Sequence, residues 1–473
     1  MGVKPSFLQI SSFFSHGIDV LRRILYNRFD HSINKTARKV CAGCAHIVGG
    51  CDKGALVMEE RHNRLRTGLL RFFAQDLPVV LGVLAVLFAA MSFTGGWPTK
   101  SNEYRTYALQ ACAWLEGRLD LGRDYPWLEL AIYEGKYFVS FPPFPSVVLL
   151  PFCAIFGSAT PDHLIALAVT VVGVVFALRL CRRVAPQSAR GSAAFLTLFL
   201  YLSNGYMHIG LQGGWVWHLA QCMCFTLSLM ALSFAAEGKG TPSLACWAFA
   251  VGCRPMVAVY LPLLACLLYR AHGKQLLQLA RERWYWAVCP TVIALGYMAL
   301  NYARFGNILE FGRSYLPEFT RTQTGQFDFS YVLNNLQSLV RLPRPGGENG
   351  ALRYYTFECQ AFWLITPLIV VTFVAWLCRL RRHTPGQRFT LITVPLMALL
   401  HLIILLLHRT LGGWQFGNRY LLDMLPYLFC ALLMWMPRSE TFRLWCIPPA
   451  LLGAAVNLIG TVATYNSWIT GQW

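Results

Sequence analysis

"SNEYRTYALQACAWLEGRLDLGRDYPWLELAIYEGKYFVSFPPFP" runs from Ser101 to Pro145 and holds six of the chain's 22 carboxylates. Long greasy stretches lie on either side of it, so the fold turns on why an oily chain gathers acid groups in one place. Mean hydropathy is +0.45, and 56% of the residues are hydrophobic against 13% charged. A soluble domain sits nearer a quarter charged. Apolar runs of about 17–25 residues recur down the 473-residue chain, each long enough to cross ~30 Å of hydrocarbon. The pattern predicts an all-α polytopic membrane protein. It lacks the alternating ~10-residue segments of a β-barrel.

Working outward, spans are expected near 77–95, 162–180, 192–210, 214–235, 242–254, 255–270, 284–302, 360–378, 388–408, 420–436 and 443–465, about eleven in all. The segment 242–254 is too short to cross alone. "WAFAVGCRPMVAVYLP" therefore reads as two helices meeting at Arg254-Pro255, since a residue before proline leaves the α region. Basic loops fix the orientation. The N-terminal region, Arg179–Arg190, Arg270–Arg283, Arg379–Arg388 and Arg438–Arg443 are assigned to the cytoplasm. That scheme holds if 142–157 is a helix lying in or dipping into the outer surface. A spanning 142–157 would flip Arg179–Arg190 outside. Loops 96–161, 303–358 and 409–419 are then extracytoplasmic, the first carrying surface helices.

Residues 1–76 read as a basic cytoplasmic extension ahead of the membrane domain 77–473, with Leu21–Phe29 as a candidate surface helix. The formal charge of +19 would suggest nucleic acid in a soluble protein. Here Lys and Arg collect in topology-setting loops, and no nucleic-acid partner is expected. The sixteen Cys lie mostly inside apolar runs, as small core residues. Cys41, Cys44, His46 and Cys51 open like a zinc knuckle but are too cramped for a known finger. Asp120 and Asp124 share a face only if helical, and Gly122 and Pro126 argue against that. No metal or other cofactor is expected.

In the opening loop, Glu116 with Arg118 and Glu134 with Lys136 suit a solvated surface. Glu103 is different, because it lies where the chain leaves the membrane. A carboxylate there can take a proton from an acceptor hydroxyl, and Trp97, Tyr104 and Tyr107 are placed to desolvate it. Arg254 falls at a helix break near bilayer depth, where an unpaired Arg is costly. Arg304 and Arg419 lie just outside spans beside Phe305 and Tyr420, positions that suit either interfacial snorkelling or phosphate binding. Asp423 reads as a local partner for an Arg or Tyr. His218, His401 and His408 read as packing or bundle-interior residues. Trp215, Trp217, Trp414 and Trp473 read as an aromatic belt, with sugar stacking as the other reading.

These residues resemble the GT-C class of membrane glycosyltransferases, which includes protein O-mannosyltransferases, aminoarabinose transferases and bacterial relatives. The resemblance covers about residues 77–465. It rests on "NEYRTY" after the first span, "LEGRLDL", "YEGKYFVSFPPFPSVVLLPFCAIFG", "GCRP", "NYARFGNILEFGRSY" from Asn301 and "GGWQFGNRYLLDMLPYL" from Gly412. Asn102 replaces the family's usual Asp, leaving Glu103. Phe141 stands where some relatives carry Lys before Pro-Pro, so another cation must meet the phosphate. The resemblance implies a polyprenyl-phosphate sugar donor within the membrane lipid and a lipid, glycan or protein hydroxyl as acceptor. It also implies inversion at the anomeric carbon, at the outer face of the cytoplasmic membrane. Glu103 would be the general base, and Arg105, Lys136, Arg254, Arg304, Arg419 and Tyr420 would hold substrate.

Three other readings compete. A transporter or flippase of a lipid-linked or anionic substrate would explain the buried Arg and the broken helix. An O-antigen polymerase or ligase would carry its large loop late in the chain. A non-catalytic scaffold would need none of these features.

Overall fold

The computed structural model describes residues 67–68, 70–100, 102–187, 192–273, 276–321, 324–342, 344–345, 352–353, 360–381 and 385–466. The Cys41–Cys51 cluster, Leu21–Phe29 and Trp473 lie outside them. The chain divides into Met1–Phe72 and Phe73–Trp473. Everything below concerns the second unit.

That unit begins with α1 (Leu77–Thr94). The first loop follows, with α2 (Thr106–Leu115), a hairpin of β1 (Leu130–Tyr133) and β2 (Lys136–Val139), and α3 (Phe144–Phe156). Next come α4 (Asp162–Val184), α5 (Ala193–Leu202), α6 (Tyr206–Leu211), α7 (Val216–Ala236), α8 (Gly240–Val251), α9 (Leu261–His272) and α10 (Val288–Phe305). The remainder includes α11 (Val332–Val340), α12 (Pro367–Leu380), α13 (Pro385–Leu407), α14 (Leu425–Trp435) and α15 (Glu440–Tyr465). Among the described residues, seven helices are long and apolar enough to cross a membrane. Several expose large side chains along their length: Leu295 is 58% exposed, Ile392 67% and Leu451 66%. Such surface suits lipid and not water.

The long helices match the expected spans at 77–95, 162–180, 214–235, 255–270, 284–302, 388–408 and 443–465. The segment 242–254 is the short helix its length implied, Gly240–Val251, while the expected spans at 192–210, 360–378 and 420–436 are instead short or broken. The first is interrupted at Ser203–Gly205, where Asn204 caps Tyr206 with its side chain at 2.9 Å. The last begins as a 3-10 turn over Arg419–Met424. At 13 residues, α3 is about 20 Å long. That is too short to cross hydrocarbon alone.

Contacts between helix ends sort them into two faces. On one face Arg182 at the end of α4 pairs with Asp76 before α1, Arg179 pairs with Glu237 after α7, and Arg443 of α15 donates to Ser192 before α5 at 2.9 Å. On the opposite face Asn102 donates to Asp162 at the start of α4 at 2.9 Å, and Asn466 donates to the Phe93 carbonyl at 3.0 Å. The first loop sits on this second, loop-bearing face. α7 is buried along most of its length and packs between α4 and α8, forming the bundle's spine.

One element was not expected. "LAIYEGKYFV" forms an antiparallel hairpin with Leu130 opposite Val139 and Tyr133 opposite Lys136. Glu134 and Gly135 turn it with φ of 49° and 71°. Positive φ at both central residues is what a two-residue turn matched to strand twist requires.

Candidate active site

Proline dictates the centre of the site. Arg254 is extended, with φ −144° and ψ 99°, ahead of the 3-10 turn Pro255–Tyr260. The chain thus breaks at Arg254 and turns its side chain toward the segment that opens α14. There Arg254 Nε donates to Asp423 Oδ2 at 2.8 Å, and its guanidinium lies 4.7 Å from the centre of the Tyr420 ring. Burial works against its charge, and the Asp423 carboxylate more than offsets this, so Arg254 is held firmly cationic. Gly252 makes the break compact: a Cβ there would stand 1.9 Å from the Tyr297 hydroxyl. Its carbonyl accepts from Phe144 N at 3.0 Å, tying the break to the first loop.

Arg419 also lies against Tyr420, with its guanidinium 5.4 Å from the ring centre. Its backbone is fixed by Gln415 Oε1, which accepts from Arg419 N at 2.8 Å, and by Gln221 of α7, which donates to the Arg419 carbonyl at 2.8 Å. Its side chain is not so provided for. Arg419 is 2% exposed, and among the described residues neither Nε nor Nη1 has a hydrogen-bond partner. Burial pulls this guanidinium down from its ordinary pKa, Tyr420 pushes it up, and Arg254 adds to the downward pull. A buried cation with two unsatisfied donors is expensive unless something anionic meets it.

A third guanidinium joins them. Gly312 (φ 98°) turns the loop after α10 so tightly that a Cβ would meet the Phe305 ring at 2.7 Å. Glu310 Oε1 braces the turn by accepting from Gly312 N at 2.6 Å. Arg313 follows and lies over Phe141 and Phe319, 5.9 and 5.5 Å from the ring centres. The Tyr107 hydroxyl of α2 is within electrostatic reach of both Arg254 and Arg313, and among the described residues it is buried without a hydrogen-bond partner.

His408 lies on the same face, edge-on to Tyr420. Gln326 Nε2 donates to its Nε2 at 3.2 Å, leaving Nδ1–H to donate to the Thr410 carbonyl at 2.6 Å. Burial and the nearby Arg313 push its pKa down to about 3, so it stays neutral.

Two carboxylates of the first loop stand out, and of these only Glu129 acts electrostatically on the cluster. Glu103 is exposed, and its side chain has no hydrogen bond or ion pair among the described residues. Its backbone is held firmly. Trp127 donates to the Glu103 carbonyl at 3.3 Å, and the neighbouring Asn102 is buried between Asp162, the Gly214 carbonyl and Tyr104 N. Tyr104 packs on Trp215 and Trp217. Glu129 lies further in, at the base of the hairpin. Its Oε2 accepts from Trp217 Nε1 at 3.2 Å, and its charge acts on Arg419.

The structure therefore brings Arg254, Arg419 and Tyr420 together and adds Asp423, Arg313, Tyr107 and Glu129. It places the other expected substrate residues elsewhere. Arg304 is buried and clamps the hairpin, donating to the Val139 carbonyl at 3.1 Å and to Asn301 Oδ1 at 2.9 Å. Arg105 donates to the Ser158 carbonyl. Lys136 is exposed at the hairpin tip. Arg313 carried one sequence signal, a cation two residues after the phenylalanine of "EFGRSY". Glu129 carried none that set it apart from its five loop companions.

The fold and site define a multi-pass α-helical membrane protein with a guanidinium cluster at its loop-bearing face. No family model matches the chain, and no curated protein matches it in sequence. Two solved structures are similar to it. The crystal structure of ArnT from Cupriavidus metallidurans bound to undecaprenyl phosphate is 13% identical, covering 82% of this chain and 76% of that one, with a TM-score of 0.46. The crystal structure of the Archaeoglobus fulgidus oligosaccharyltransferase in the apo form is also 13% identical. It covers 85% of this chain and 57% of that one, with a TM-score of 0.40.

Proposed function

We propose that this protein is an inverting membrane glycosyltransferase that moves a sugar from a polyprenyl-phosphate donor to a hydroxyl acceptor at the extracytoplasmic face. The observation that carries the reading is the pairing of two unsatisfied buried donors on Arg419 with the neighbouring Arg254 and Arg313. A phosphodiester leaving group fits that need. The acceptor oxygen forms a bond to the anomeric carbon as the bond from that carbon to the phosphate oxygen breaks. The acceptor proton passes to a carboxylate, and the lipid leaves as a phosphate monoester with one more negative charge. Fixed guanidinium groups aimed at that charge lower the barrier most in a dry site. Arg254, Arg313 and Arg419 hold the phosphate in this reading. Tyr420 packs against two of the guanidiniums, and Arg304 acts on the site through the hairpin it clamps. Arg105 and Lys136 meet substrate only at the periphery.

Glu103 is the general base in this reading. Its carboxylate is unengaged while its backbone is anchored, which leaves it free to meet an incoming alcohol. A second reading gives the role to Glu129, favoured by its charge acting on Arg419. The test is sugar transfer in membranes from a panel of polyprenyl-phosphate sugars, comparing Glu103→Gln with Glu129→Gln. Loss of the base should cost at least about 100-fold in rate. A normal rate for Glu103→Gln beside a collapsed rate for Glu129→Gln would hand the role to Glu129. Normal rates for both would end the glycosyl-transfer reading.

A further inference from the structure

On the face opposite the guanidinium cluster, the short motif "EGKG" (237–240) joins α7 to α8 and has no part in the proposed reaction. It forms one wall of a groove of about 500 Å³, and His272 at the end of α9 with Arg283, Tyr285 and Trp286 ahead of α10 forms the other. The glycines are there because rings press on them. A Cβ on Gly240 would stand 2.0 Å from Trp286, and one on Gly238 (φ 78°) would stand 2.9 Å from the His272 ring. Lys239, His272 and Arg283 line the groove together with Tyr285 and Trp286. Arg283 Nη1 donates to the Tyr285 hydroxyl at 2.8 Å, which props the guanidinium at the rim.

The charge balance is positive. Glu237 faces this region, pairing with Lys239 at 2.9 Å and with Arg179. Arg183 donates to the Ala236 carbonyl at 3.0 Å, adding another cation at the same helix end. Glu282, beside Arg283, is engaged by Gln278 at 2.9 Å. Exposed apolar side chains stand near it in sequence: Leu277 is 75% exposed and Trp284, between the lining residues Arg283 and Tyr285, 68%. Trp and Tyr at a helix end beside Lys and Arg mark the level of the headgroups.

We infer that this groove binds the phosphate-bearing headgroup of an anionic membrane lipid, with Lys239 and Arg283 as its cationic contacts and Trp286 as its apolar wall. Cations next to a bilayer recognise anionic headgroups largely by charge, and the Arg283 fork adds directional donors. The site is independent of the glycosyl-transfer reading.

The test uses the full chain in detergent, with native mass spectrometry of retained phosphatidylglycerol against phosphatidylcholine. Lys239→Gln and Arg283→Gln should each lower phosphatidylglycerol retention about fivefold, with phosphatidylcholine unchanged. Thr241→Trp, which fills the groove and keeps every charge, should do the same, and monodispersity checks that each variant is folded. Wild-type retention in folded forms of all three variants overturns the inference. Displacement of the lipid by millimolar inorganic phosphate, which then stays bound itself, would assign the groove to a soluble anion and overturn the lipid assignment.

Discussion

Replacing Arg419 by methionine separates a binding role from a structural one. Arg419 leaves Nε and Nη1 buried without partners among the described residues. Each unsatisfied buried donor costs about 1–3 kcal/mol. Its favourable contact, the cation–π approach to Tyr420, contributes about 0.5–2 kcal/mol. Methionine has similar reach, no donors and no charge, and its chain can follow the same path beside Tyr420. Arg419→Met should therefore leave stability unchanged or raise it by about 1–2 kcal/mol. Donor binding should respond in the opposite sense. Losing two charge-assisted hydrogen bonds to a phosphate, at about 1.5–3 kcal/mol each, removes at least about 3 kcal/mol, or roughly 150-fold in affinity. The assay pairs thermal unfolding in detergent with titration of a polyprenyl phosphate into nanodisc-held protein. A variant that is clearly destabilised yet binds the lipid phosphate like wild type would refute the reasoning, because Arg419 would then be a packing residue.

Two further outcomes follow from the same geometry. His408 is neutral in the folded chain with a pKa of about 3, against about 6.5 when exposed. The unfolded state therefore takes up the proton first as pH falls. Stability from this group is complete above about pH 7 and declines below it, by about 1.4 kcal/mol at pH 5.5. Thermal unfolding of His408→Gln should show a shallower loss between pH 7.5 and 5.5 than wild type, and parallel curves would contradict the burial argument. Gly312→Ala forces a Cβ onto Phe305 at a positive φ. It should cost about 1–3 kcal/mol and raise the KM for the donor by moving Arg313. An unchanged KM would detach Arg313 from the donor site.

Much of the membrane architecture was legible because it depends on local chemistry. The length of apolar runs located the long helices. The steric rule for residues before proline located the break at Arg254. What stayed hidden was long-range. Asp423 is 169 residues from the Arg254 it neutralises, and a local partner looked as good from sequence. Arg304 and Arg419 read alike, each a cation before an aromatic at a span end. The hairpin's Val139 carbonyl engages the first, while nothing among the described residues engages two nitrogens of the second. Arg313 depends on a glycine turn folded against Phe305, which no periodicity reports. The short helices at 192–210 and 420–436 read as full spans because apolar residues outnumber the polar ones in each, and the caps and 3-10 turns at Asn204 and around Asp423 make the breaks.

The amide at position 102 has a consequence for related sequences. Asn102 offers its NH2 to Asp162 Oδ2 at 2.9 Å, and both groups are buried. An aspartate in its place would press two carboxylates together away from water, a state that only a shared proton or an extra cation could relieve. The contact predicts that the two positions change together: chains that keep an acid at 162 should carry an amide at 102. Chains that restore the acid at 102 should have lost the one at 162 or gained a positive neighbour for it.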